Sequence, residues 1–145
     1  MYTLLKHLHS GMRWVMLVGL IWAIYDAYVQ WKKGTAFTKE TRLPAFLAFN
    51  FTHIQLLLGL IIYFISPRVL LVSGMMKDSV MRFFGMEHPL MMLIAISLIT
   101  VGYIKGKKGV PGGSFKIIFW YYLIALLLIV FSIPWPWMKY ATAWI

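Results

Sequence analysis

Residues 43–67 contain no Lys, Arg, Asp or Glu, and that run decides most of what this chain can become. A helix crossing the hydrocarbon core of a bilayer needs about 20 mostly apolar residues. Three further stretches of the chain meet the same requirement. Yet Asn50, Thr52, His53 and Gln55 stand inside the run. Polar and ionisable groups at that depth cost free energy, so they face a bundle interior and mark a site. Composition agrees with a membrane protein: 61% of the 145 residues are apolar and mean hydropathy is +0.78, beyond a water-soluble domain's usual share. The length supports one domain. Spans are expected at residues 9–31, 44–66, 84–104 and 115–133, and short connections make neighbouring helices antiparallel. The fold class expected is all-α, an integral-membrane up-down four-helix bundle occupying residues 1–145.

A net charge of +10 would suit nucleic acid, but the basic residues lie in short loops beside the hydrophobic spans. Membrane topology puts them there, and no nucleic-acid partner is expected. The first and third loops hold Lys32, Lys33, Lys39, Arg42, Lys105, Lys107, Lys108 and Lys116, eight in all. The opposite side holds Lys6, Arg13, Arg68, Lys77, Arg82 and Lys139, six in all. The positive-inside rule then places both termini outside. The N-terminus has no short apolar region followed by a small-residue cleavage site, so the first span is expected to be retained. Absence of cysteine excludes disulfides, iron–sulfur clusters, c-type haem attachment and thiolate zinc sites. No His-Glu-x-x-His spacing occurs, and no Ser, His and carboxylate form a recognisable hydrolase arrangement. Glycine-rich residues 106–113 lack the strand and helix context of a phosphate loop.

Along the chain, Gly19, Ala23 and Ala27 give span one a smooth face that another helix can approach closely. Asp26 near its far end can reach the interface or pair with a cation. Pro44 suits a helix start. The linker 69–82 is amphipathic, with methionines among Lys77, Asp78 and Arg82, as a headgroup-level segment would be. Pro89 suits a first helical turn, or a kink if the helix starts earlier. Pro134-Trp135-Pro136-Trp137 closes span four with aromatics suited to the interface.

The histidines carry the functional question. His9 lies toward the outer end of span one and His88 a turn or two below the outer end of span three, deeper if that helix begins near Asp78. His53 lies near mid-membrane. A haem with two axial imidazoles needs them at one depth on facing helices. His9 with His88 meets this best, and His88 with His53 also works if span three starts early. His88 belongs to both pairings. Arg13, one turn after His9, and Arg82, on the same side of the membrane, suit the haem propionates through charge-assisted hydrogen bonds. Phe46, Phe49 and Asn50 share the His53 face, where flat rings could pack on a porphyrin, and Gly85 could admit a ring edge. The plainer alternatives are a polar interfacial anchor for His7, His9 and His88, a helix-packing hydrogen bond for His53, and structural partners for Asp26 and Glu87. The ten methionines read as lipid-facing or core filler, with Met12 or Met92 a minor option as a thioether ligand.

Four strings together, His9-Ser10-Gly11-Met12-Arg13-Trp14, His53-Ile54-Gln55-Leu56-Leu57-Leu58-Gly59-Leu60, Glu87-His88-Pro89-Leu90-Met91-Met92 and Ile133-Pro134-Trp135-Pro136-Trp137, give the chain a family likeness. It resembles the small four-helix bacterial membrane proteins labelled "cytochrome B" in Bacteroidetes-type genomes, over nearly its whole length. The resemblance implies a bacterial inner (cytoplasmic) membrane protein, and the label implies haem with His9, His53 and His88 as candidate ligands.

Three functions are thereby expected to compete. One is a b-type haem protein passing electrons, with quinone or a respiratory complex as partner and the redox chemistry supplied by the cofactor. A second is a cofactor-free accessory subunit that packs against a larger respiratory or transport complex through the small-residue face of span one and the Trp-rich tail, with a homo-oligomer as a further partner option. The third is a quinone site using His53, Gln55 and Asn50. An electron-transfer protein is favoured over a stand-alone enzyme.

Overall fold

The computed structural model describes residues 1–67, 69, 71–109 and 113–138. Arg68, Val110, Pro111, Gly112 and Lys139, which entered the loop and charge readings above, lie outside the described residues. Among the described residues there are four long helices: α1 (Tyr2–Lys33), α2 (Leu43–Ile65), α3 (Ser79–Lys107) and α4 (Gly113–Ser132). Each is long and apolar enough to cross a membrane, and no strand occurs among the described residues. The all-α four-helix membrane fold is what the apolar runs require. Each helix packs on its sequence neighbours and α1 also on α4, which closes the ring.

The ends of the helices follow local chemistry. α1 stops where Gly34 takes a left-handed conformation (φ 66°) that only glycine adopts without cost. The freed carbonyls of Trp31 and Gln30 then accept from Gly34 and Thr35. Pro44 sits in the first turn of α2, where its missing N–H costs nothing. Asp78 caps α3, its Oδ1 accepting from Val80 N at 2.9 Å and Met81 N at 2.8 Å. Thus α3 begins at Ser79 rather than at 84, and α1 begins at Tyr2 rather than at 9. The described part of the linker 69–82 ends in a 3₁₀ turn (Met75–Lys77) and then the first turn of α3.

Lipid tails do not drive apolar helices together, so close packing and interhelical hydrogen bonds must. Gly19, Ala23 and Ala27 are all buried within the bundle, where a Cβ at Gly19 would stand 3.1 Å from the Phe51 ring. The smooth face of α1 therefore serves this chain's own packing. At Gly102 a Cβ would fall 2.4 Å from that of Tyr121, so the backbones of α3 and α4 approach only because it is absent. Tyr122, fully buried, donates across the core to the Ala45 carbonyl at 2.9 Å.

The two ends of the bundle differ. At the loop end, Phe37 turns inward onto Phe115 (centroids 5.3 Å apart) and Tyr103 (6.3 Å) and plugs the core. Thr38 and Thr41 brace that loop by capping each other's backbone N–H. At the N-terminal end the helices part around a cavity. Tyr2 and Ser66 link α1 to the end of α2 there, 3.3 Å apart. Trp135 folds back onto Trp14 (6.2 Å) and stacks on Trp137, so the tail packs on α1 as well as facing outward.

Candidate functional site

The cavity at the N-terminal end has a volume of about 370 Å³, within the range of small-molecule and cofactor pockets. One stripe of α1 lines it: Tyr2, Lys6, His9, Ser10, Arg13 and Met16, each three or four residues from another member. From α2 come Thr52, Gln55, Gly59 and Tyr63, and from α3 His88, Pro89, Met92 and Ile96. Ile129 and Ile133 complete the wall. Its ionisable residues are two cations, two histidines and two tyrosines, with no carboxylate among them. Phe64 of α2 and Leu93 of α3 line it while being exposed on the outside of the bundle, so the opening lies between those two helices.

His88 is placed by an unusual turn. Pro89 has no N–H to give the Gly85 carbonyl four residues back, and its ring would crowd that oxygen. The helix widens into a π turn over Phe83–Glu87, with His88 N bonding the Phe83 carbonyl. Tyr63 of α2 donates its hydroxyl to the released Gly85 oxygen at 3.0 Å. Such π turns occur often at functional sites. The His88 ring leans on Phe83, and its Nδ1 donates to the Ser132 carbonyl at 2.7 Å. A carbonyl cannot donate, so the proton is on Nδ1 and Nε2 keeps its lone pair.

His9 is held differently. The Gln55 amide nitrogen donates to the His9 backbone carbonyl at 2.9 Å and lies 3.4 Å from His9 Nε2. His9 Cε1 rests at the surface of Gly59, 3.2 Å from where a Cβ would be. His9 Nδ1 and Gln55 Oε1 are buried with no partner. Each such orphan costs about 1–3 kcal/mol.

Of the residues expected at a site, His9, His88 and Arg13 meet at this cavity, while His53 and Arg82 stand elsewhere. His53 donates from Nδ1 to the Phe49 carbonyl at 2.7 Å, and its Nε2 faces the Thr100 hydroxyl at 3.2 Å. It joins α2 to α3. Arg82 meets Glu87 (Nε to Oε1, 2.6 Å) and the Met76 carbonyl (2.9 Å), and does not line the cavity. The rings expected against a porphyrin pack on protein: Phe49 lies 5.0 Å from Tyr103 and 4.2 Å from His53, and Phe46 6.2 Å from Tyr103. Asn50 donates to its own helix at Phe46. Gly85 faces Met75, whose Sδ would be 2.9 Å from a Cβ there. Asp26 accepts from Gln30 on its own helix at 3.3 Å.

Comparison with known proteins adds no assignment. No family model, curated protein or solved structure matches this chain.

Among the described residues no three His, Cys, Asp or Glu side chains come together to hold a metal ion. A macrocycle that brings its own four nitrogens needs only one or two more from the protein. The residues present fit such a group. His88 has the arrangement usual for a ligating imidazole, one nitrogen tied to a backbone carbonyl and the other left basic. Lys6 and Arg13 offer charge for carboxylates, and Met16, Leu56, Ile96 and Ile129 an apolar floor. Lys6 was counted in the sequence only as a topological charge. Its place on the cavity becomes visible once the helix is begun at Tyr2, because residues 2, 6, 9, 10 and 13 then share a face.

Proposed function

We propose that this chain is a b-type haem protein of the bacterial inner membrane that takes part in electron transfer, with quinone or a respiratory complex as partner. One observation carries the reading: His9 and His88, from different helices, line a single intramembrane cavity with Lys6 and Arg13 and no carboxylate. Haem, when bound, supplies one-electron redox chemistry. The residues do the rest. His88 offers a basic nitrogen whose direction is set by Ser132. Lys6 and Arg13 neutralise carboxylates where water is scarce and charge pairing is strong. The apolar floor keeps water from the ring.

His9 lies about 10 Å along α1 from Tyr2, and His88 about 14 Å along α3 from Ser79, which supports a ligand held toward one face of the bilayer. With both termini outside, that face is the outer one. Of the two features behind the cofactor-free subunit reading, the small-residue face of α1 is used inside the bundle, while the Trp-rich tail still exposes Trp137.

The test is an oxidised and dithionite-reduced ultraviolet–visible spectrum of detergent-purified protein from cells supplied with haem precursor. The expected result is a Soret band that His88→Ala abolishes. A colourless wild-type protein, or a spectrum that survives His88→Ala, overturns the proposal.

A further inference from the structure

His9 and His88 face one cavity but are not equivalent, and the difference lies in which nitrogen each can offer. The His88 Nδ1 proton is committed to the Ser132 carbonyl at 2.7 Å, so Nε2 is a free base. At His9 the Gln55 amide decides. Its orientation has one solution: the atom 2.9 Å from the His9 carbonyl oxygen must be the NH₂ nitrogen, because an amide oxygen there would face another acceptor. That nitrogen is also the atom 3.4 Å from His9 Nε2, so Nε2 faces a donor and its lone pair points at Gln55. His9 Nδ1 then carries the proton of the neutral ring, and it is sealed from solvent. The Nδ1–Cε1 edge lies against Gly59, where a side chain would leave no room. Neither nitrogen of His9 is presented to a ligand.

We infer that His88 is the sole side chain at this cavity that would ligate a haem, and that Gln55 holds His9 so that neither of its nitrogens would be offered, which would leave a bound haem open to a small exogenous ligand. The inference rests on the haem reading above and specifies it. It makes Gln55 a positioning residue, and a haem held there would be accessible to a small neutral molecule as well as to electron transfer. His9, one helix away, would border that molecule without ligating.

The geometry makes the variants unequal. Wild-type protein should show the high-spin spectrum of a five-coordinate haem and bind carbon monoxide when reduced, with a shifted Soret band. His9→Ala should keep that spectrum and His88→Ala should lose the haem. Gln55→Leu removes both contacts to His9 at similar volume. The ring is then free to turn, and the spectrum should become low-spin with carbon monoxide binding weakened. A haem-independent check is ¹⁵N-histidine NMR of the haem-free full chain in micelles. It should show a protonated Nδ1 and bare Nε2 for both residues, with only the His9 signals moving in Gln55→Leu.

A low-spin wild-type spectrum that becomes high-spin in His9→Ala would establish His9 as second ligand and overturn the inference while leaving the haem reading intact. Loss of haem in His9→Ala with retention in His88→Ala would overturn the inference and the proposed function together. His9 signals unmoved by Gln55→Leu would remove Gln55 from the argument. A colourless wild-type protein overturns both readings.

Discussion

At Pro89 the helix cannot donate to the Gly85 carbonyl, and the chain meets that loss with a hydroxyl from another helix, Tyr63, at 3.0 Å. Tyr63→Phe keeps the ring and strands the oxygen, which should lower stability by about 1 kcal/mol and reduce the thermal midpoint in detergent. An unchanged midpoint would mean that the carbonyl has found another donor. Pro89 was legible in the sequence as a first turn or a kink. Tyr63 was not, because a hydroxyl and a carbonyl 22 residues apart share no periodicity. His53 illustrates the reverse. Its depth drew attention, and the structure gives it two ordinary partners, Phe49 and Thr100. Burial of a polar group in a span says that it must be satisfied, not by what.

The helices themselves were readable, because hydropathy over about 20 residues is a strong signal. Their ends were less so. Lys6, His7 and His9 dilute the apolar pattern before residue 10, yet α1 runs from Tyr2 and is about 48 Å long. That exceeds the roughly 30 Å hydrocarbon core, so its extra turns reach the headgroups or tilt the helix. Asp78 was seen as one charge in an amphipathic linker, whereas its carboxylate caps α3. Helix contact depends more on what is absent. Gly102→Ala puts a Cβ 2.4 Å from that of Tyr121 and must push α3 from α4. Overpacking of this kind costs about 1–3 kcal/mol. Thermal unfolding should show the loss, with Gly11→Ala, where nothing lies within 4 Å, as the near-silent control. Equal melting of the two variants would deny that the close approach matters.

For the molecule as a whole, the ring of four antiparallel helices followed from loop length, but which way up it sits rests on eight basic residues against six. The absence of cysteine makes a direct check simple. Thr3→Cys and Lys108→Cys lie at exposed positions near opposite ends of the bundle. A membrane-impermeant maleimide should label the first on intact cells and the second only after permeabilisation; the opposite pattern inverts the orientation. The cavity itself was not readable, since it needs all four helices at once and a plug at one end only. That plug has a consequence. Phe37, Phe115 and Tyr103 close the loop end, while the cavity stops at Thr52, Ile96 and Ile129. It is a cul-de-sac, entered from one face or sideways from the lipid. If the chain passes electrons as proposed, charge delivered there would return by the side it came from, and the chain by itself would do no electrical work on the membrane. On that proposal, a contribution to a transmembrane voltage would need a second protein carrying the other half of the path.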